Sequence, residues 1–144
     1  MLASILINNY NYGRYLADAI DSALAQTYAN VEVIVVDDGS TDDSDRVLNA
    51  YAGRIRVIRK ANGGQASAYN AGYYASGGGV LIFLDADDIL QPTALAKAMP
   101  SFEAPDVAKV HWSLAIADQH GRPTGQLYPQ GRPAEGSGVR ARHQ

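Results

Sequence analysis

Residues 80–88 read Val80-Leu81-Ile82-Phe83-Leu84-Asp85-Ala86-Asp87-Asp88, an apolar run that ends in a cluster of carboxylates. A short run without polar residues is typical of a strand that is buried on both faces of a parallel sheet. The carboxylates at its end repel one another, and their hard oxygens are the ligands that suit Mg²⁺ or Mn²⁺. A divalent cation held there would bind a diphosphate, so the stretch indicates nucleotide chemistry.

Three further apolar runs have the same form and lead into polar clusters. They are residues 3–7 before 8–11, residues 31–36 before 37–40, and residues 55–58 before the turn at 62–65. The segments between the runs have helix signals. Leu16, Ile20, Ala23 and Leu24 recur at helical spacing, and a second helix is expected to begin at a Ser40 cap and to turn Val47, Leu48 and Tyr51 inward. A third helix is predicted over residues 65–75, and a fourth from Pro92 to about Met99.

Strands that alternate with helices predict an α/β fold, a mainly parallel sheet with helices on both faces. Ligands of such sheets bind at the carboxyl ends of the strands. The four polar clusters are therefore expected to lie on one rim of the sheet.

The composition changes towards the end of the chain, which predicts two regions. Residues 1–118 are expected to form the folded domain, with residues 107–117 extended and Trp112 in a packing role. Residues 119–144 are rich in glycine and proline, carry Arg132, Arg140, Arg142 and His143, and are expected to be a flexible tail.

The composition also excludes several classes of protein. The 144 residues are 47% hydrophobic and 19% charged, which is ordinary for a globular core, and the net charge of −3 argues against non-specific nucleic-acid binding. The absence of cysteine excludes disulfides and thiolate metal sites. No apolar run approaches the ~20 residues that span a bilayer, and the first residues lack a basic signal-peptide region. The expected location is the cytoplasm, or the cytoplasmic face of a membrane.

Taken together, four stretches of this sequence resemble the family 2 glycosyltransferases in order and spacing, over about residues 2–100. They are Ser4 to Leu16, Val33 to Asp42, Asn62 to Ala68 and Phe83 to Asp88. Members of this family are inverting enzymes with the GT-A fold, a Rossmann-like fold, and they transfer sugar from a nucleoside diphosphate sugar. The resemblance implies that this chain is the donor-binding part of such an enzyme, truncated after the donor-binding half.

The resemblance also implies roles for individual residues. Asp37 or Asp38 would hydrogen-bond the base, usually uracil, and the residues around Asn9 and Tyr10 would flank it. Asp85 would approach the ribose. Asp87 would hold the Mn²⁺ or Mg²⁺ that bridges the two phosphates. Side chains two residues apart in an extended segment point the same way, so Asp85 and Asp87 are expected to reach one ligand. The implied partners are a nucleoside diphosphate sugar, a UDP-sugar foremost, and a saccharide or lipid-linked acceptor.

The sequence departs from the family pattern at several points. Asn8 stands where proline is usual, and Tyr69 where an arginine that approaches the nucleotide is common. No general base is identified, because neither Asp106 nor Asp118 matches the family's base and Glu135 lies in the glycine-rich tail. Without the acceptor-binding half, exposed apolar surface is expected, which makes self-association an expectation too.

Other interpretations of these residues stay open at this point. The chain is either part of an enzyme or a nucleotide-binding or interaction module that has lost catalysis. Asp37 and Asp38 are also compatible with a role limited to starting a turn and capping a helix, and Tyr10 with an ordinary rim position. Asn62-Gly63-Gly64 fits a backbone turn better than a phosphate cradle. A dinucleotide-binding fold is disfavoured because no G-x-G-x-x-G follows the first strand, and a phospho-acceptor receiver domain does not fit the pair Asp85 and Asp87.

Overall fold

The computed structural model describes residues 1–118 and 120–130. The chain divides into two compact units, Met1–Lys97 and Ala98–Gln144. All residues that the sequence predicts for the nucleotide and metal sites lie in the first unit. The predicted tail residues Arg132, Glu135, Arg140, Arg142 and His143 lie outside the described residues.

Strands and helices alternate through the first unit, as the sequence predicts. The order is β1 Ala3–Asn9, α1 Gly13–Leu24, β2 Val31–Asp37, α2 Ser44–Ala50, β3 Arg56–Arg59, α3 Gln65–Ala75, β4 Val80–Asp85 and α4 Ala94–Ala98. Among the residues that the structure describes, no helix is long and apolar enough to cross a membrane.

The four strands form one sheet in the order β3-β2-β1-β4, and every neighbouring pair is parallel. Asn8 of β1 lies opposite Val36 of β2 on one side and Asp85 of β4 on the other. The carboxyl ends of β1, β2 and β4 are therefore aligned at one edge of the sheet. The prediction of a mainly parallel α/β sheet is confirmed.

Helices cover both faces of this sheet, because alternate side chains of each strand point to opposite faces. On one face, α3 packs against β1 and β2, and the Arg56 guanidinium donates to the carbonyl of Ala75 at the end of that helix. On the other face lies α1, which also packs against α2, and Arg59 of β3 donates to Asp45 and Asn49 of α2. The core between these layers is apolar and includes Ile5, Ile7 and Val35, none of them measurably exposed.

The helix boundaries follow the predicted periodicity with two corrections. The fourth helix, predicted from Pro92 to about Met99, is limited to Ala94–Ala98, and the cap of α2 differs. Leu16, Ile20 and Ala23 of α1 are buried, and α3 begins and ends where it was predicted. Ser40 does not cap α2, because the residue before that helix is Asp43, which makes no side-chain capping bond. The Ser40 hydroxyl donates instead to Asp37 Oδ1 at 2.6 Å. Ser40 therefore belongs to the turn after β2 and lies before the first residue of α2.

The second unit contains a 3₁₀ helix at Met99–Glu103 and an antiparallel pair, β5 Leu114–Ala117 with β6 Pro123–Tyr128. Of the predicted extended region 107–117, only the last part forms a strand. The boundary expected after residue 118 falls inside this hairpin, because β6 belongs to the segment expected to be a tail. A glycine- and proline-rich segment forms a strand here since its partner strand β5 supplies the hydrogen bonds that it cannot make alone.

The start of β4 generates a stability prediction, because Gly78 lies against β1 without room for a side chain. A Cβ on Gly78 would collide with Ser4 Oγ and would lie 2.8 Å from the Ser4 backbone nitrogen. We expect Gly78→Ala to reduce the free energy of unfolding by about 1–3 kcal/mol, the usual cost of overpacking, measured by urea denaturation.

Gly77→Ala is the matched control, since its Cβ would meet nothing closer than 3.6 Å. The control should unfold at nearly the wild-type urea concentration. Equal midpoints for both variants would show that β4 does not fit β1 as tightly as described.

Candidate functional site

A cleft of about 510 Å³ opens at the carboxyl ends of β1, β2 and β4. Of the predicted site residues, those that line it are Asn9, Tyr10, Asp38, Asp85 and Asp87. Residues from the turn after β3 line it as well, among them Asn62 and Gly64. The polar clusters that follow the four strands thus meet on one rim, which is where parallel sheets bind ligands.

Asp37 is the one predicted site residue that does not line the cleft. It is 9% exposed and accepts hydrogen bonds from Asn9 Nδ2 at 2.8 Å, from the Ser40 hydroxyl at 2.6 Å and from the Ser40 N–H at 3.2 Å. These bonds close the turn after β2 and tie it to β1. Of the two adjacent aspartates, Asp37 has the turn-forming role and Asp38 faces the cleft.

Asn9 has a structural role that was not predicted from the sequence. Its side chain is 1% exposed, and Nδ2 donates to Asp37 Oδ1, to Ser40 Oγ at 3.1 Å and to Ser44 Oγ at 2.9 Å. The Asn9 carbonyl also accepts from the Asp38 N–H at 2.9 Å. Among the described residues, nothing donates to the buried Oδ1 atoms of Asn8 and Asn9. Both residues line the cleft.

Tyr10 and Tyr12 follow directly and present aromatic surface to the same cleft. Tyr10 is 48% exposed and Tyr12 is 44% exposed. An exposed ring beside polar cleft residues offers a flat apolar face to a planar ligand.

Asp38 is buried at 3% exposure and is surrounded by donors. Its carboxylate accepts from Lys60 Nζ at 2.5 Å, from the Gly63 N–H at 3.0 Å and from the Gly64 N–H at 2.7 Å. Burial alone would raise the pKa of Asp38, but the hydrogen bonds from Lys60, Gly63 and Gly64 outweigh it, so the pKa is lowered. Asp38 is therefore an anion at neutral pH.

The bonds to Asp38 also explain the Asn62-Gly63-Gly64 segment. Two of its N–H groups are engaged by Asp38, so the segment is a loop held against the end of β2 and not an open phosphate cradle. Lys60 was not predicted as a site residue. Lys60 directly follows β3, and β3 pairs with β2, whose last residue Asp37 precedes Asp38. That position is the sequence signal that could have identified Lys60.

Asp85 is fixed from the side of α3. Its Oδ1 accepts from the Tyr69 hydroxyl at 2.7 Å and from Gln65 Nε2 at 3.1 Å. Burial, followed by the hydrogen bond to Asp85 and the nearby carboxylate charges, raises the pKa of Tyr69 far above its usual value. Tyr69 thus stays protonated and acts as a neutral donor at the position where the family resemblance leads us to expect an arginine.

Asp87 is exposed at the mouth of the cleft, beyond the end of β4. Residues 85–88 form a turn closed by the Asp88 N–H and the Asp85 carbonyl at 3.0 Å, so the extended conformation assumed from the sequence is wrong. Burial, and then the charges of Asp87 and Asp85, raise the pKa of Asp88. The three carboxylates are therefore close enough to repel one another.

The carboxylates around Asp87 suit a divalent cation that is bound partly by the protein and partly by the ligand. Among the described residues, no group of three or more His, Cys, Asp or Glu side chains is arranged to hold a metal ion. Mg²⁺ is usually bound by one or two carboxylates together with substrate phosphates and water, not by an all-protein cage. Asp87 and its neighbours suit that mode, in which the ligand completes the coordination sphere.

The aspartates considered as a general base lie in the second unit. Asp118 Oδ1 accepts from the backbone N–H groups of His120 and Arg122 and so shapes the turn between β5 and β6. Asp106 is exposed in the segment before β5. Glu135 lies outside the described residues. The general base is not assigned to any of these three residues.

A second cavity of about 450 Å³ lies at the opposite edge of the sheet, near the start of β2, and includes Glu32, Arg54 and Arg56. It contains none of the predicted site residues. Arg56 is engaged by Ala75, and Arg54 lies over the ring of Tyr51. The acidic cleft at the carboxyl edge is the one whose residues match the predicted chemistry.

Comparison with known proteins agrees with the fold. A sequence profile of glycosyl transferase family 2 matches residues 4–138. An uncharacterized glycosyltransferase of Nostoc sp. is 43% identical over 135 residues, which are 91% of this chain and 42% of that protein. The chain therefore spans less than half the length of this relative.

Solved structures show the same fold. The crystal structure of S. aureus TarS 1-349 is similar with a TM-score of 0.66 at 27% identity, over 72% of this chain and 32% of that one. Glucosyl-3-phosphoglycerate synthase from Mycobacterium tuberculosis, solved with Mn²⁺, UDP and glucosyl-3-phosphoglycerate, has a TM-score of 0.55 at 25% identity, over 67% of this chain and 37% of that one. Since the family profile covers nearly the whole chain, this chain belongs to the family 2 glycosyltransferases.

Proposed function

We propose that this chain binds a nucleoside diphosphate sugar, a UDP-sugar foremost, and forms the donor-binding part of an enzyme that transfers the sugar with inversion. The acceptor is a hydroxyl of a saccharide or a lipid-linked molecule. The observation that carries the proposal is the meeting of Asp38, Tyr10 and Asp87 along one cleft.

The spacing of these residues suits a nucleotide that lies across the strand ends. Asp38 follows β2 and Asp87 follows β4, with β1 and Tyr10 between them. Neighbouring strands lie about 4.8 Å apart, so the two carboxylates are separated by roughly 10 Å along the edge of the sheet. We place the base near Tyr10 and Asp38, the ribose near Asp85, and the diphosphate near Asp87.

A cation is needed at the diphosphate end of the cleft, because the carboxylates there would repel the phosphates. Asp85, Asp87 and Asp88 give it negative charge, and Lys60 is already paired with Asp38. We propose Mn²⁺ or Mg²⁺ at Asp87, where it would neutralise the charge that develops on the diphosphate leaving group. The solved relative that contains both Mn²⁺ and UDP supports this choice.

Self-association is a further part of the proposal. β4 is an edge strand of the four-stranded sheet, and large apolar side chains near its end, Phe83 and Ile89, are 56% and 59% exposed. Surface of this kind favours association with another apolar surface.

The direct test is calorimetric titration of the chain with UDP and Mn²⁺, followed by measurement of UDP release from UDP-sugars in the presence of acceptors. We expect binding, with poor turnover by these 144 residues alone, because no general base is assigned and base assistance is worth ~10²–10⁴-fold. A nucleotide-binding module without catalysis would bind UDP but release none with any acceptor. Absence of UDP binding would overturn the proposal.

Asp87 generates a prediction about metal dependence. In the wild type, Mn²⁺ should strengthen UDP binding by about tenfold or more, because the cation would be attracted both by the Asp87 carboxylate and by the phosphates. Asp87→Ala should bind UDP equally with and without Mn²⁺, as measured by calorimetry.

Asp18→Ala is the control, because Asp18 is an exposed aspartate of α1 that does not line the cleft. It should retain the full Mn²⁺ effect. If Asp87→Ala retains that effect too, the cation is not bound through Asp87.

Asp38 generates a prediction about pH. Its lowered pKa means that its stabilising contribution is present above the unfolded pKa and is lost as the pH falls through the lower, folded pKa. Asp38→Asn should therefore destabilise the chain at pH 7, by roughly 3 kcal/mol for a broken buried pair, and by progressively less as the pH falls from about 4, the ordinary aspartate pKa, through the lower pKa of the folded state.

Urea denaturation of wild type and Asp38→Asn across this pH range measures the difference. The variant should also bind UDP more weakly with and without Mn²⁺, because Asp38 lies at the base end of the cleft. A destabilisation that is independent of pH would contradict the ionised state of Asp38.

A further inference from the structure

The Asp85 carboxylate is held asymmetrically. Tyr69 and Gln65, one turn apart on α3, both donate to Oδ1, at 2.7 Å and 3.1 Å. A carboxylate oxygen has two lone pairs in its plane, so two donors saturate Oδ1. Among the residues that the structure describes, none donates a hydrogen bond to Oδ2. The second oxygen is thus left as the acceptor that a ligand can use.

The two donors lie at different places relative to the cleft. Gln65 lines the cleft together with Asp85, whereas Tyr69 does not. The Tyr69 ring packs edge-to-face on Phe83 of β4, with 4.8 Å between the ring centroids. The ring is therefore held by β4, and its hydroxyl meets the cleft only through Asp85.

We propose that Tyr69, assisted by Gln65, is a positioning residue that fixes the rotamer of Asp85 so that Oδ2 accepts a hydrogen bond from a ribose hydroxyl of the bound nucleotide. This inference rests on the proposed function and adds to it the residues that set selectivity for a ribonucleotide. It assigns a function to Tyr69 that the family resemblance does not supply.

The chemistry of the donors supports this assignment. Tyrosine and glutamine are neutral, so they orient Asp85 without cancelling its charge. A hydrogen bond from a ligand hydroxyl to an ionised carboxylate is about twice as strong as one to a neutral acceptor. A fixed carboxylate also loses less side-chain entropy when the ligand binds. Both effects depend on the ligand hydroxyl and vanish when it is absent.

The experiment compares UDP with 2′-deoxy-UDP and 3′-deoxy-UDP by calorimetry, in Mn²⁺, on the wild type, Tyr69→Phe and Gln65→Leu. The wild type should prefer UDP by roughly tenfold over the analogue that lacks the hydroxyl bound by Asp85. Tyr69→Phe keeps the contact with Phe83 but loses the donor. We expect its UDP affinity to fall roughly three- to tenfold while its affinity for that deoxy analogue stays within twofold of wild type.

Tyr73→Phe is the matched control, since Tyr73 lies one turn further along α3, is 55% exposed and contacts Tyr74. It should bind all three nucleotides as the wild type does. Gln65→Leu should reduce the preference for UDP less than Tyr69→Phe, because its hydrogen bond is longer.

The possible outcomes separate this inference from the proposed function. If the wild type binds UDP but Tyr69→Phe keeps the full preference for the ribonucleotide, or loses affinity for all three nucleotides equally, the positioning role is overturned and the proposed function stands. If the wild type binds none of the nucleotides, the proposed function fails and this inference fails with it.

Discussion

The site depends on one buried contact, the hydrogen bond from Asn9 Nδ2 to Asp37 Oδ1, which joins the ends of β1 and β2. The same nitrogen reaches Ser40 and Ser44, so the loop after β2 and the start of α2 are fixed to β1. Asn11 repeats the connection nearby, because its Oδ1 accepts from the N–H groups of Thr41 and Asp42. These bonds join the loop after β1 to the loop after β2, and the two loops present Tyr10 and Asp38 to the same cleft.

Because successive side chains of a strand point to opposite faces of the sheet, adjacent residues at the strand ends have different roles. Asp37 belongs to the face of α1 and α2 and forms the turn, whereas Asp38, one residue later, lies beside the turn that precedes α3 and forms the cleft. Asp85 belongs to the α3 face as well, which is why Tyr69 and Gln65 can reach it. Asp87 lies beyond the strand and is free to meet a cation. Each carboxylate thus has a different environment, although all of them lie at or just beyond the ends of strands of one sheet.

The sequence predicted the four parallel strands, the bounds of α3 and the common rim, because burial on both faces and helical periodicity leave strong local patterns. It did not predict features that depend on long-range partners. The pairing of Lys60 with Asp38 joins residues from different strand ends, and Ser40 turns to Asp37 instead of capping α2. The turn at residues 85–88 was assumed to be extended, since two-residue spacing alone does not reveal the bond between Asp88 and Asp85. Strand β6 was missed because its glycine- and proline-rich sequence becomes a strand only through pairing with β5. The roles of the individual site residues stay predictions.

A crystal structure of the chain grown with UDP and Mn²⁺, with anomalous data for manganese, tests the central claim most directly. The account predicts an anomalous peak beside Asp87 in contact with both phosphates, the base between Tyr10 and Asp38, and an Asn9–Asp37 contact that is unchanged. Nucleotide bound in the cavity near Glu32 and Arg56, or manganese bound away from Asp87, would contradict it.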